Sequence, residues 1–202
     1  MEEQTRIKIC GLTRLEDIDA VNERKPEYVG FVFAKSRRQI TKEHAVTLRR
    51  YLDPEIQAVG VFVNELPAIV AGYLEEGVID LAQLHGNESE EYIHSLRFRT
   101  GGELIKAFSI KTREDVEKAK KSSADYILLD HGKGGTGELF DWSLIRNMDR
   151  PYFLAGGLNA ENVEQAILQT HPFAVDISSG VETDGVKDPK KITECIRRIR
   201  HV

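Results

Sequence analysis

A thiol and a carboxyl group occupy positions in this sequence where they could exchange protons with a bound molecule. Cys10 ends the short apolar run Arg6–Cys10, and Asp130 follows the apolar run Tyr126–Leu129. A thiolate can take a proton from carbon when a nearby cation or helix end lowers its pKa, and a carboxylic acid can supply one. An acid and a base that face one ligand from two sides suit an isomerisation, in which one proton is given and another is taken.

Each of these two residues also has an ordinary structural interpretation. A free cysteine is most often a small buried hydrophobic residue, and an acid that follows an apolar run is often a turn or cap residue. Cys10 lies at the end of a predicted strand and is followed by Gly11, and this position indicates that its side chain faces the end of the fold at which substrates bind. The catalytic interpretation therefore depends on a fold that brings Cys10 and Asp130 to one opening.

Two consecutive segments near the C-terminus have the composition of a phosphate site. Tyr152–Leu154 is followed after one residue by Gly156-Gly157, and Ala174–Ile177 is followed directly by Ser178-Ser179-Gly180. Small residues after a strand let backbone N–H groups approach an anion, and a helix that starts there adds the positive end of its dipole. One such segment alone would be interpreted as a tight turn. Two in succession favour a phosphate site, which in (β/α)8 barrels commonly follows strands 7 and 8.

The elements that must position these groups follow a regular pattern. Short apolar runs alternate with helix-like segments, and the runs start roughly every 22 to 29 residues, the size of one βα unit. The predicted strands are Arg6–Cys10, Tyr28–Phe33, Gln57–Val63, Leu81–Leu84, Leu104–Phe108, Tyr126–Leu129, Tyr152–Leu154 and Ala174–Ile177. The predicted helices are Leu15–Arg24, Thr41–Leu52, Leu66–Glu76, Ser89–Arg97, Arg113–Lys121, Trp142–Asn147, Ala160–Gln169 and Pro189–Arg200.

Eight such units imply a parallel sheet with helices outside it, and eight is the number of strands at which this sheet closes into a barrel. We therefore predict an α/β fold, a single (β/α)8 TIM barrel of near-minimal size that forms one catalytic domain over residues 1–202. An open, doubly wound sheet is the alternative. In a barrel, active residues lie at the C-terminal ends of strands, and this criterion adds Asn64, His85 and Asp176 to Cys10 and Asp130.

Two arginines follow the second predicted strand. The planar guanidinium group of arginine suits bidentate recognition of a carboxylate. The alternative is a solvated charge on a loop, which fits one of the pair well. We expect Arg38 to point inward and Arg37 to be the solvated residue.

Composition excludes several other classes of function. A net charge of −5 and a pI near 5.7 argue against nucleic acid as a partner. No apolar run approaches the length of a membrane span, and Met1–Arg6 lacks the apolar region of a signal peptide, so we expect a cytoplasmic protein. Cys10 and Cys195 show no disulfide or zinc spacing, and Cys195 has the helical spacing of a packing residue.

The segment 131–137 contains a formal G-x-G-x-x-G pattern, but it is weak evidence for a dinucleotide site. The pattern does not lie in a first βαβ unit, and Glu138–Asp141 separates it from the helix it should open. We interpret it as a loop after strand 6 whose backbone amides can reach a ligand. The remaining histidines form no metal constellation.

The sequence resembles the phosphoribosylanthranilate isomerase family of tryptophan biosynthesis, in blocks that run in family order along the whole chain. The Cys10 block together with the Gly-Thr-Gly and Asp-Trp block is the most specific. The blocks are Lys8-Ile9-Cys10-Gly11-Leu12-Thr13, Gly60-Val61-Phe62-Val63-Asn64, Gln83-Leu84-His85-Gly86, Leu129-Asp130 with Gly134-Gly135-Thr136-Gly137 and Phe140-Asp141-Trp142, Leu154-Ala155-Gly156-Gly157-Leu158, and Val175-Asp176-Ile177-Ser178-Ser179-Gly180-Val181-Glu182.

The resemblance implies an Amadori rearrangement of N-(5-phosphoribosyl)anthranilate to 1-(2-carboxyphenylamino)-1-deoxyribulose 5-phosphate. It implies that Asp130 is the general acid, that Cys10 is the general base, and that Arg38 meets the anthranilate carboxylate. His85 and Asp176 would also bind substrate, Asp176 through a sugar hydroxyl. Phosphate would be held at Gly135, Gly157, Ser178, Ser179 and Gly180. No metal or organic cofactor is implied, and the protein would be a monomer or a homodimer that acts on a small molecule.

Two rival functions remain open on sequence alone. The analogous isomerase of histidine biosynthesis is also an Amadori barrel, but it carries an aspartate where this sequence has Cys10, and an enzyme that uses both substrates is a variant of this alternative. The second rival is a catalytically silent barrel that binds a phosphosugar and acts as a scaffold.

Overall fold

The computed structural model describes residues 4–130, 141–145 and 148–202. Eight parallel strands form a closed barrel in the order β1 to β8, and β1 closes the ring by pairing with β8. The strands are β1 Arg6–Cys10, β2 Tyr28–Val32, β3 Gln57–Phe62, β4 Leu81–Leu84, β5 Glu103–Ser109, β6 Tyr126–Asp130, β7 Tyr152–Leu154 and β8 Ala174–Ile177. The closure confirms the predicted (β/α)8 barrel and rules out the open sheet.

Helices cover the outside of this ring. The α-helices of the described residues are α1 Leu15–Arg24, α2 Lys42–Tyr51, α3 Pro67–Glu75, α4 Glu90–Thr100, α5 Arg113–Lys120, α6 Val163–Thr170 and α7 Pro189–Ile199. Several start at capping residues: Thr41 accepts from the backbone N–H of His44, and Thr112 with Asp115 forms a capping box. In the part of the chain that the structure describes, no helix combines the length and apolar character needed to cross a bilayer.

Two predictions for helices were wrong. In the sixth unit the described residues form a 3₁₀ helix, Trp142–Ile145, where an α-helix over Trp142–Asn147 was predicted, and residues 146–147 lie outside the described residues. The next helix, α6, starts at Val163, because Asn159 uses its side chain to close a turn on the N–H of Glu161 and does not cap the helix.

Alternation along the strands separates two layers of core. In β1, Ile7 and Ile9 point outward and belong to the layer between sheet and helices, whereas Lys8 and Cys10 point into the barrel. Each fully buried isoleucine of the outer layer contributes about 1.5–3 kcal/mol. A smaller cluster, which includes Tyr28, fills the lower part of the barrel.

The chain after β8 forms a short antiparallel hairpin that the sequence did not predict. Its strands are β9 Glu182–Thr183 and β10 Val186–Lys187. Each strand has only two residues, which is too short for a periodic pattern to show. The hairpin matters because it places Glu182 and Lys187 beside the mouth of the barrel.

Candidate active site

A cavity of about 270 Å³ opens at the C-terminal end of the barrel. Its volume is close to the lower limit for small-molecule sites. Eight of the eleven predicted site residues line it: Cys10, Arg38, His85, Asp130, Gly157, Asp176, Ser178 and Ser179. Asn64 does not line it, and its side chain accepts from the backbone N–H of Asn87. Gly180 lies beside the cavity and not in its wall, and Gly135 falls in the segment 131–140, outside the described residues. A larger cavity of about 540 Å³ lies at the opposite end, around Arg6 and Phe173, away from all of these groups.

Cys10 is the last residue of β1, and its thiol sits at the floor of the cavity with 8% of the residue exposed. Gly30 is its partner on β2, and a Cβ added at Gly30 would lie 2.5 Å from the Cys10 Sγ. The absence of a side chain at position 30 therefore makes room for the sulfur. Burial raises the pKa of the Cys10 thiol, while the positive charges of Lys8 and Lys187 oppose that rise.

A chain of polar side chains crosses the barrel, and all of its members except Lys8 line the cavity. The Lys8 Nζ donates to Asp176 Oδ2 at 2.9 Å and to Gln83 Oε1 at 2.8 Å. The Gln83 Nε2 lies 2.8 Å from His85 Nδ1, and His85 Nε2 lies 3.8 Å from Asp130 Oδ2. These contacts connect β8, β1, β4 and β6. Asp176 at one end of this chain is thus linked through successive side-chain contacts to Asp130 at the other end.

In this chain Lys8 is charged and His85 is neutral. Burial disfavours the charged form of Lys8, but the interactions with Asp176 and Cys10 together outweigh burial and raise the pKa of Lys8, which is therefore a cation. Burial and the charge of Lys8 lower the pKa of His85, so its ring is neutral at pH 7. A neutral histidine carries one ring proton, and its location matters for Asp130.

Arg38 reaches the cavity, as predicted, but its guanidinium is already bound by a carboxylate of the protein. Glu182 accepts from Arg38 Nε at 2.6 Å and from another guanidinium nitrogen at 2.9 Å. Lys187 and the more exposed Arg37 also donate to Glu182, at 2.8 and 2.7 Å. Burial alone would raise the pKa of Glu182, but the hydrogen bonds from Arg38 and Lys187 outweigh burial and lower it.

The two small-residue turns after β7 and β8 lie against one another. Asn159 and Gly180 form a β-bridge, and a Cβ added at Gly180 would come within 1.9 Å of the backbone oxygen of Leu158. Only glycine permits this approach. The Ser178 hydroxyl donates to the backbone oxygen of Cys10 at 3.0 Å, which ties the β8 turn to the end of β1. The arrangement is a two-sided cradle of small residues beside the thiol.

Sequence reasoning missed four residues of the site: Lys8, Gln83, Glu182 and Lys187. A signal for the first existed, because Lys8 is a charged residue inside an apolar strand and shares a face with Cys10 two positions on. Gln83 carries a similar signal, because it is a polar residue inside the apolar strand β4, and His85, one residue past the end of that strand, lies two positions on. Glu182 and Lys187 carried no such signal, since their hairpin was not predicted.

Cys195, the other cysteine, is fully buried in the outer core layer, as its helical spacing predicted. Among the described residues, no group of three or more histidine, cysteine or acidic side chains could hold a metal ion.

Comparison with known proteins identifies the family. A family model described as N-(5'-phosphoribosyl)anthranilate (PRA) isomerase matches residues 7–198. N-(5'-phosphoribosyl)anthranilate isomerase of Clostridium acetobutylicum is 48% identical over 203 residues, which cover 96% of this chain and 98% of the relative. The protein of the same name from Thermoanaerobacter pseudethanolicus is 46% identical over 203 residues, which cover 98% of each chain.

Solved structures of proteins with the same name superpose closely on this chain. Phosphoribosyl anthranilate isomerase from Thermotoga maritima superposes with a TM-score of 0.90 at 40% identity, covering 98% of this chain and 100% of that one. A crystal structure of a phosphoribosyl anthranilate isomerase in complex with reduced 1-(o-carboxyphenylamino)-1-deoxyribulose 5-phosphate gives a TM-score of 0.87 at 40% identity, with the same coverage. The chain therefore belongs to the N-(5'-phosphoribosyl)anthranilate isomerase family, and like its relatives it is an isomerase of tryptophan biosynthesis.

Proposed function

We propose that this chain converts N-(5-phosphoribosyl)anthranilate to 1-(2-carboxyphenylamino)-1-deoxyribulose 5-phosphate, with Asp130 as general acid and Cys10 as general base. The observation that carries the proposal is that both side chains line one cavity at the C-terminal end of the barrel, on β6 and β1. In (β/α)8 enzymes this end is where reactions take place. The relative crystallised with a reduced form of the product, at 40% identity, supports the same substrate class for this chain.

The reaction needs two proton transfers at different atoms. Asp130 gives its proton to the furanose ring oxygen as the bond from that oxygen to C1 breaks, which leaves a Schiff base between C1 and the anthranilate nitrogen. Cys10, as thiolate, takes the proton from C2, and the resulting enolamine becomes the C2 ketone when C1 is protonated. Substrate and product have the same atoms, so no oxidant or reductant is required.

The cradle after β7 and β8 is the phosphate site of the proposal. Gly157, Ser178 and Ser179 line the cavity there, and Gly180 holds the two turns together. Backbone N–H groups of such small-residue turns bind phosphate without side-chain charge. We propose Gly135 as a further phosphate contact from the loop after β6.

Asp176 is well placed for a sugar hydroxyl. Its Oδ2 accepts from Lys8, whereas its buried Oδ1 has no hydrogen-bond donor among the described residues. A buried acceptor that lacks a donor costs about 1–3 kcal/mol, and a substrate hydroxyl would remove that cost. His85 faces the same space and would contact the sugar from the opposite wall.

Arg38 is proposed to bind the anthranilate carboxylate with the edge of its guanidinium that Glu182 leaves open. A guanidinium has five donors, and among the described residues only Glu182 accepts from Arg38 side-chain nitrogens. The hydrogen bonds to Glu182 hold the plane of the guanidinium group in place.

The relative from Thermotoga maritima is called dimeric, and we propose a monomer or a homodimer for this chain.

The test is turnover on two substrates. We expect the purified protein to convert the anthranilate aminoaldose phosphate, while the histidine-pathway aminoaldose phosphate turns over far more slowly or not at all. Activity on the histidine intermediate alone would contradict the proposal. Binding of both compounds without turnover would identify the protein as a silent phosphosugar-binding scaffold.

A further inference from the structure

We propose that Lys8 and Gln83 are positioning residues that hold His85 in one tautomer, with its ring proton on Nε2 and directed at Asp130. The inference extends the proposed function, because it explains how the fold favours proton donation by Asp130. It rests on donor and acceptor chemistry that leaves a single arrangement for each group.

The first step is the orientation of the Gln83 amide. A lysine side chain has donors only, so the atom of Gln83 that lies 2.8 Å from Lys8 Nζ must be the oxygen. The amide nitrogen then faces His85, at 2.8 Å from Nδ1. Water cannot replace either partner of this hydrogen bond, because Lys8 is fully buried and Gln83 is 1% exposed.

The second step is the tautomer of His85. The Gln83 nitrogen can only donate, so Nδ1 must accept and carries no proton. Since the ring is neutral, its single proton lies on Nε2. That nitrogen is the one that faces Asp130, 3.8 Å from Oδ2.

The third step concerns why Lys8 keeps its orientation. Asp176 accepts from Lys8 at 2.9 Å, and the two side chains are 0% and 9% exposed. A buried ammonium without a carboxylate partner is strongly disfavoured, so the pair is held together. The direction of every hydrogen bond from Asp176 to His85 is therefore determined by one buried cation.

The consequence is specific to proton donation by Asp130. When Asp130 gives up its proton, it becomes a carboxylate, and a directed N–H group stabilises that charge. In enzymes such contacts are often long before the substrate binds and shorten in the complex. The opposite tautomer would present a lone pair to the new carboxylate and would oppose the step.

A purely structural role for the same residues predicts something different. Lys8 and Gln83 would then fill the barrel without any effect on the location of the His85 proton. The two accounts separate on a spectroscopic measurement, because the ¹⁵N shifts of the two ring nitrogens report which one carries the proton.

The experiment uses the full chain labelled with ¹⁵N-histidine, with His85 assigned by its loss in His85→Gln. We expect the Nε2–H form in the wild type. In Gln83→Glu the carboxylate accepts from Lys8 and from the ring, so we expect the Nδ1–H form, with kcat lowered about 10- to 100-fold and KM changed little. Gln83→Met, which is similar in size and directs neither tautomer, should give a mixture and an intermediate kcat. Thermal melting identifies a variant that does not fold.

A wild-type protein with the proton on Nδ1, or with a mixture of both forms, would overturn the proposal without any variant. A switched tautomer in Gln83→Glu with unchanged kcat would also overturn it. Failure of the wild type to turn over the anthranilate substrate would contradict the proposed function and leave the tautomer assignment as it stands, so the two failures are distinguishable.

Discussion

Glu182 binds the guanidinium group of Arg38 through two hydrogen bonds, of 2.6 Å to Nε and 2.9 Å to a terminal nitrogen. Lys187 donates to the same carboxylate from the inner side of the hairpin, at 2.8 Å. Arg38 is thus held in a fixed orientation at the edge of the cavity before any substrate carboxylate arrives. Preorganisation of this kind reduces the entropy that binding must overcome.

Replacement of Arg38 by alanine tests its role as a carboxylate clamp. Because a hydrogen-bonded charge pair is worth about 1.5–3 kcal/mol, we expect KM for the anthranilate substrate to rise about 10- to 100-fold. We expect kcat to fall less, since the contact is present in both ground and transition states. Arg37→Ala is the matched control, because Arg37 donates to Glu182 from a more exposed position. An unchanged KM in Arg38→Ala, with a raised KM in Arg37→Ala, would move the clamp to Arg37.

Glu182→Gln tests how much the carboxylate of Glu182, with its hydrogen bonds to Arg38 and Lys187, contributes to the stability of the fold. The variant leaves three cations, Arg37, Arg38 and Lys187, beside a neutral amide, and we expect a loss of about 1–3 kcal/mol in the free energy of unfolding by urea. The pKa of Glu182 is lowered in the folded state, so its stabilisation is present above the ordinary value of 4.5 and is lost as pH falls through the folded pKa. The difference between wild type and variant should therefore shrink in acid. A difference that is constant down to pH 3 would contradict the assignment.

Gly30→Ala tests the close approach of β2 to the thiol. The added methyl group would lie 2.5 Å from Cys10 Sγ, so either the sulfur or the strand must move. We expect a loss of about 1–3 kcal/mol in stability and a fall in kcat, because the base would be displaced. Gly72→Ala, inside α3, is the control: its nearest neighbour would be 3.8 Å away, and we expect a gain of about 0.5–1 kcal/mol. A wild-type kcat in Gly30→Ala would show that the thiol position is not critical.

The reactivity of Cys10 should depend on pH in a direction set by burial. Burial raises the pKa of the thiol above its ordinary value of 9.0, so the fraction of thiolate should still increase at pH 9.0. The rate of alkylation by iodoacetamide, measured in a Cys195→Ala background, should follow that fraction. Lys8→Met should move the curve to higher pH, since the charge of Lys8 opposes the rise. A rate that reaches its plateau below pH 9.0 in the wild type would contradict this account.

Most of the barrel could be predicted because local patterns and global fold agree. Buried parallel strands are nearly continuous apolar runs, and β1, β4, β7 and β8 have the predicted bounds. Cys10 and Asp130 could be singled out because a barrel places reacting groups at strand ends. The 3₁₀ helix Trp142–Ile145 could not be distinguished from an α-helix, because the two have similar side-chain patterns over so short a segment.

The interactions around the site were less predictable than its residues. The position of Arg38 followed from its place after β2, but its bond to Glu182 depends on a hairpin 144 residues further along the chain. The contact between Lys8 and Gln83 crosses the barrel over 75 residues of sequence. Contacts of that range depend on which side chains meet across the closed ring, and no local pattern encodes those pairings.

The most direct test of the central claim compares turnover with binding in Cys10→Ala and Asp130→Ala. Each variant removes one proton transfer, and general acid–base groups contribute about 10²- to 10⁴-fold, so we expect kcat to fall by that factor in each. Affinity for the reduced product, measured by calorimetry, should stay near that of the wild type because the phosphate and carboxylate contacts remain. Near-normal turnover in either variant would contradict the assignment of that residue and with it the account of an acid and a base acting across one opening.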